Sequence, residues 1–351
     1  MIDMFSEASL VALVGLIGGV VLGLAARIGR FCTLGAIEDL FYGGTSLRLR
    51  MWGVAIGVAV IGTYALDAAG LFAIEQSLYA QRVWNPSASI IGGLLFGYGM
   101  ALAGNCGYGA LARIGGGDLR ALLIVLIMGI SAYVTLGGPL SSLRIWAFGG
   151  TEQSTGSTTF AQLASGGTGL SVNACGILIG ALILGVTVLN QDMRRAPARI
   201  LWGALVGLAI VSGWAGTYWI ASSGFDATPI VSHTFSAPIG ETVLYLMTSS
   251  GNTISFGTGS VAGVMLGAFI GSALKRQFRW EACDDPRELK RQLLGGALMG
   301  IGAVIAVGCS VGQGLSAFST LAYGAPLTMI CIIIGAAIGL RQLIFGFART
   351  V

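Results

Sequence analysis

The sequence predicts an all-α, polytopic integral membrane protein with about nine transmembrane helices. Three observations carry that prediction. Of 351 residues, 55% are hydrophobic and only 10% charged, with a mean hydropathy of +0.83; soluble domains carry about 25% charged residues. Glycine occupies 57 positions with no Gly-X-Y period, a pattern suited to helices that pack closely in a bilayer. Apolar stretches of roughly 20 residues, the length a bilayer requires, recur along the chain. This composition excludes a cytosolic enzyme, a nucleic-acid-binding protein and a disordered chain.

Nine spans are expected: Leu10–Ile28, Met51–Ile74, Ser89–Ala112, Leu119–Leu140, Ser171–Asn190, Ile200–Ala221, Ile254–Leu274, Gln292–Val311 and Ala325–Phe345. The chain begins MIDMFSEASL, without a basic region, so the first stretch is expected to stay in place as a span. Alternate connections hold seventeen of the 19 Lys and Arg residues; only Arg82 and Arg144 fall on the other side. The positive-inside rule then puts the N-terminus outside and the C-terminus in the cytoplasm. The connections 141–170 and 222–253 are rich in Ser, Thr and Gly. They are expected to lie outside and to carry short interfacial helices, with Glu241–Ser250 one candidate. His233, within the second, is expected to be solvated.

An internal repeat organises the chain as one transporter domain over 1–351. Its halves, 10–140 and 254–348, are joined by 141–253. Setting Gly92 on Gly295 superposes IGGLLFGYGMALAGNCGYGA on LGGALMGIGAVIAVGCSVGQ, with eight of the 20 positions identical, Cys106/Cys309 among them. The third span runs inward and the eighth outward, so this repeat is inverted, as in many secondary transporters. A second likeness joins the Gly15/Gly19/Gly23 face to the Gly263/Gly267/Gly271 face. Those two spans run in the same direction, which an inverted repeat forbids; generic helix packing and a re-entrant segment both remain open as explanations.

Chemistry gathers at the Gly–Cys motifs. Cys106 stands in GNCGYG and Cys309 in GCSVGQG, each near the end of an apolar helix that close glycines weaken. A helix broken at membrane depth must be buried in protein or line a watery cavity, and its free N–H groups suit anions. Cys32 follows Arg30-Phe31 beside a basic loop, a setting in which a thiol meets an anion. Asn105, Ser310 and Gln313 are neutral donors beside the thiols. Arg113 stands seven residues after Cys106, placed either to attract an anion or simply to set topology. Cys175 and Cys331 fall among aliphatic residues as packing, and Cys283 in a polar loop. No CxxC pair, acidic ladder or His pair is present, so no cofactor or metal is called for.

Together, Arg30-Phe31-Cys32 after a Gly-rich first helix, GNCGYG with Arg113 downstream and GCSVGQG in the matching half resemble the YeeE/YedE sulfur-transport family of bacterial inner-membrane proteins. The resemblance covers most of the chain, with little from 141–250. It implies a nine-span, hourglass-shaped permease for thiosulfate uptake. Cys32, Cys106 and Cys309 would hand the anion along by hydrogen bonds without a covalent intermediate, in partnership with a small cytosolic sulfur carrier of the TusA type. This sequence departs from the pattern in the stretch Ile114-Gly115-Gly116-Gly117-Asp118, which sets the acidic residue farther from Arg113 than expected. A thiol oxidoreductase, a soft-metal transporter, a carrier of another sulfur or selenium species and a non-transporting anchor subunit are the alternatives.

Overall fold

The computed structural model describes residues 6–149, 159–224, 228–282 and 285–346. These form fifteen α-helices and no strand: α1 Glu7–Arg27, α2 Thr33–Phe41, α3 Leu47–Ala68, α4 Pro86–Ala103, α5 Gly107–Ile114, α6 Leu119–Leu136, α7 Ser141–Phe148, α8 Phe160–Thr168, α9 Val172–Val188, α10 Gln191–Arg194, α11 Pro197–Ser223, α12 Ser236–Thr248, α13 Phe256–Leu274, α14 Pro286–Ile305 and α15 Gly324–Phe345. Each expected span overlaps one of them, except that Ser89–Ala112 takes in both α4 and α5 and Gln292–Val311 runs on past the end of α14. By length and composition, seven stretches among the described residues can cross a membrane, counting α4 and α5 as one; α8 with α9, bent by 111°, makes an eighth. Taken alone, α9 has only 17 residues. The start of α14 carries Arg287, Glu288, Lys290 and Arg291, which leaves its apolar part short.

Glycine seams set the packing. Gly15, Gly19 and Gly23 of α1 abut the backbone of Phe256, Ser260 and Val264 of α13 in turn, so these helices run parallel. The two similar glycine faces are therefore the two sides of one seam, which accounts for their likeness by close packing. The helices that carry the Gly–Cys motifs cross the other way: Gly92 of α4 meets Gly302 and Ala306 of α14, and Gly99 meets Gly295 and Met299. On its other flank α4 runs parallel to α15, with Gly93 against Thr328 and Gly97 against Ile332. Side chains at these glycines would force the helices apart and forfeit the dispersion contacts that hold them together.

Several boundaries differ from expectation. The second span stops at Ala68 rather than Ile74, because the chain turns at Gly70 and the Asp67 carboxylate accepts the Ile74 amide at 2.9 Å. Asp67 is thus a structural cap. The helix sought at Glu241–Ser250 starts five residues earlier, at Ser236. Its first turn is buried against α6, with Gly240 against Tyr133. Cys331 packs in the α4–α15 seam beside Gly93. Cys175 lies in α9 near the Thr168 hydroxyl, 3.5 Å away. Cys283 lies outside the described residues.

A leucine at Gly97 would collide with the Ile332 carbonyl, and overpacking against backbone costs about 3 kcal/mol or more. Gly185, in α9, faces open space, so Gly185→Ala should stabilise the protein by about 0.5–1 kcal/mol. Thermal unfolding of purified Gly97→Leu and Gly185→Ala in detergent, expected to shift in opposite directions, checks the seam.

Candidate functional site

Three helices stop in the same way, each followed by a left-handed residue that stands two positions before a thiol. After α1, Arg30 takes a left-handed conformation (φ 57°) and Cys32 begins α2. After α4, Gly104 does so (φ 74°) and Cys106 begins α5. After α14, Val307 does so (φ 57°), and Cys309 begins the helical stretch 310–319, which contains a π-helix over Gly312–Ala317. Each sulfur caps the new helix: Sγ of Cys32 accepts from the Gly35 amide at 3.5 Å, Cys106 from Gly109 at 3.4 Å, and Cys309 from Gly312 at 3.4 Å. With its sulfur taking the helix N–H, each thiol keeps its own proton to donate. A β-branched residue with positive φ is a genuine backbone outlier, so the Val307 turn is held by its surroundings.

The three thiols converge. Cys106 lies within electrostatic reach of both Cys32 and Cys309, and the Ser310 hydroxyl stands close to its sulfur. Cys106 and Cys309 are buried, and Cys32 is partly exposed. Around the Cys32–Cys106 level stand stacked aromatic rings: Trp52 on Phe31 (4.6 Å), Phe31 edge-on to Tyr108 (6.5 Å) and Tyr108 against Phe235 (5.3 Å). Cys32 opens onto a cleft of about 290 Å³ lined by Ala26, Arg27, Arg30, Arg48 and Gln277. One Arg48 nitrogen pairs with Asp39 at 3.1 Å. At the other end, Cys309 lies 3.7 Å from the Thr234 hydroxyl, and Tyr79 donates to the Gly312 carbonyl at 3.1 Å.

The remaining expected residues divide by position. Asn105 and Ser310 are buried beside thiols, and neither polar group makes a hydrogen bond within the protein. Arg30 is exposed and lines the basic cleft. Arg113 is exposed and donates to the Gly104 carbonyl at 3.4 Å, capping the broken end of α4. Gln313 gives its amide protons to the Ala306 and Val307 carbonyls at 2.8 and 2.9 Å. It satisfies the carbonyls that the end of α14 leaves orphaned.

His233 is a correction. It is not solvated but fully buried, 0% exposed, with Nδ1 2.7 Å from the Ser260 hydroxyl and its ring against Gly18 and Phe256. The extended segment before α12 runs through the interior. Ser232 donates to the Ile210 carbonyl, Ser316 to the His233 carbonyl, Thr234 meets Cys309 and Phe235 meets Tyr108. Sequence reasoning missed it because Ser, Thr and His suggest water. The one available signal was the apolar pair Ile230-Val231 and Phe235 on either side of those polar residues. Among the described residues no group of three or more His, Cys, Asp or Glu is placed to hold a metal.

Apolar helices whose broken ends meet at buried thiols, between a basic cleft and a hydroxyl-lined end, define a membrane transport protein. Comparison with known proteins agrees. A family profile described as sulphur transport matches residues 28–338. The chain belongs to that family, the YeeE/YedE family anticipated from its motifs. It is 26% identical over 339 residues to the thiosulfate transporter TsuA of Escherichia coli K12, covering 92% of this chain and 91% of that one. It is also 26% identical over 332 residues to the thiosulfate transporter TsuA of Spirochaeta thermophila, covering 92% and 96%. A probable transporter YedE of Salmonella typhimurium is 33% identical over 96 residues, 27% of this chain and 22% of that one.

Replacing Gln313 by Leu leaves two buried carbonyls without donors, so Gln313→Leu should lower stability by about 1–3 kcal/mol. Cys175→Ala, away from the breaks, should change it far less. Thermal unfolding of the two variants side by side in detergent measures the difference.

Proposed function

We propose that this protein imports thiosulfate across the bacterial inner membrane, with its N-terminus outside and its C-terminus in the cytoplasm. One observation carries the reading: three thiols each cap a helix after a left-handed break, with Cys106 in electrostatic reach of the other two, in a chain whose relatives are named thiosulfate transporters. In this reading the ion enters at Cys309, passes Cys106 and leaves at Cys32 into the arginine-lined cleft. The positive-inside pattern supports that direction, since Arg27, Arg30 and Arg48 belong to the basic connection after the first span.

The chemistry suits the substrate. Thiosulfate is a divalent anion with a soft terminal sulfur. A thiol is a weak, polarizable donor to such a sulfur, and the first N–H groups of the helix it caps add positive potential. No side-chain cation touches Cys106 or Cys309 among the described residues, so each contact is weak enough to release the ion onward, as conduction requires. The thiols act by hydrogen bonding; no sulfur–sulfur bond forms or breaks. Arg30 and the other guanidiniums of the cleft draw the anion out of the low-dielectric interior, and Arg113 and Gln313 hold two of the breaks open. A small cytosolic sulfur carrier of the TusA type then takes the incoming sulfur, a role that rests on the family resemblance alone.

The test is growth of a bacterium lacking its own sulfate and thiosulfate uptake, with thiosulfate as sole sulfur source. Expression of this chain should restore growth. Cys106→Ala and Cys309→Ala should abolish it, and Cys175→Ala and Cys331→Ala should support it fully, at matched membrane levels. Equal growth with all four variants would remove the thiol relay. No growth with the native chain, also matched by no uptake of radiolabelled thiosulfate into proteoliposomes, would remove thiosulfate as the substrate.

A further inference from the structure

Buried polar atoms without a hydrogen-bond partner are rare in folded proteins. Eleven occur among the described residues, and five of them stand beside the three thiols. They are Nδ2 and Oδ1 of Asn105, one residue before Cys106; Oγ of Ser310, one after Cys309; Oγ1 of Thr33, one after Cys32; and Nε1 of Trp52, whose ring stacks on the Phe31 that precedes Cys32. None of these residues is more than 2% exposed. The Trp52 ring also borders Gly314 in the π-helix beyond Cys309, so it spans two of the three breaks. None of these atoms makes a hydrogen bond within the protein, although the Ser310 hydroxyl stands close to the Cys106 sulfur; Asn105, Ser310 and Thr33 each adjoin a cysteine whose sulfur already caps a helix.

We propose that Asn105, Ser310, Thr33 and Trp52 form an oxygen-reading subsite along the thiol pathway. The pathway then reads an anion with two unlike ends. The thiols face the soft sulfur, while the amide, the two hydroxyls and the indole N–H donate to the hard oxygens. Selectivity follows from the pairing. Sulfate, with no soft end, leaves the thiols unanswered. Thiocyanate keeps a soft sulfur but has one nitrogen acceptor in place of three oxygens, so it answers the thiols and fewer of the four buried donors, and competes more weakly than thiosulfate itself. The inference rests on the thiosulfate reading above and adds which atoms recognise which end.

Proteoliposome uptake of radiolabelled thiosulfate, with unlabelled thiocyanate as competitor, tests this. In Ser310→Ala and Asn105→Leu the KM for thiosulfate should rise about tenfold or more, the loss of one hydrogen bond to a charged acceptor. The inhibition constant of thiocyanate should stay within about twofold. Ser310→Thr, which keeps the hydroxyl, should retain the native KM. Ser310→Ala, the smaller change, carries the test if the Asn105 variant fails to fold. A parallel rise in both constants, no change in either, or no competition by thiocyanate in the native protein would overturn the subsite. Absence of thiosulfate uptake by the native, monodisperse protein would instead overturn the thiosulfate reading itself.

Discussion

A helix that ends inside a membrane leaves N–H and C=O groups with no water to satisfy them, and each such group is costly. Three apolar helices of this protein stop at a left-handed residue and restart at a cysteine, and much of the interior is arranged around the consequence. The N–H groups of the restarting helices are met by the sulfurs of Cys32, Cys106 and Cys309. The orphaned carbonyls are met by side chains that arrive from across the break: Arg113 at Gly104, and Gln313 at Ala306 and Val307. Because a sulfur is a weak acceptor, each cap is soft. The thiol is held in place while its proton stays available. In the proposed relay, the need to satisfy backbone and the need to bind a soft anion are thus met by the same atom.

Close packing makes the breaks possible. Helices α4 and α14 cross antiparallel on glycine, α1 and α13 run parallel on glycine, and α15 lies along α4. With no side chains between them, these backbones form a rigid frame that fixes where each helix stops. The aromatic series Trp52, Phe31, Tyr108 and Phe235 fills the space beside the first two thiols. Tyr108 donates to the Leu22 carbonyl at 2.6 Å, tying the α5 arm back to α1. The extended segment through His233 closes the Cys309 end, and its carbonyl is pinned by Ser316 from the π-helix. π-Helical turns are often found at functional sites, and here the turn lets Gly312 approach both Thr234 and Tyr79.

Hydrophobic run length marked where the long helices lie, because bilayer thickness acts on each segment locally. The Gly–Cys motifs marked two of the breaks, because glycine weakens a helix wherever it clusters. Three features were not legible, each for a physical reason. A seam partner is a long-range fact: the Gly15/Gly19/Gly23 face declared that something packs there, and only the fold shows that its partner is the similar face of α13. The buried course of the His233 segment was hidden because its polar groups are answered by distant backbone, Ile210 for Ser232 and Ser316 for His233, whereas composition registers only their polarity. The backbone contacts of Arg113 and Gln313 were hidden because an arginine or glutamine near a thiol has the same sequence whether it meets an anion or a carbonyl.

That last distinction separates scaffold from pathway. Polar residues at membrane depth are expensive and are retained for a function, but satisfying a broken backbone is itself a function. Gln313 is engaged in it, with its amide protons on carbonyls. Asn105 and Ser310 are not: they are equally buried, adjoin the same thiols, and have no partner in the protein. A buried amide left unpaired by the fold costs stability at every moment the site is empty. Such a cost is sustained where a ligand repeatedly supplies the missing partner, which is why the proposed route of the ion is drawn through the groups that the fold leaves idle rather than through those it employs.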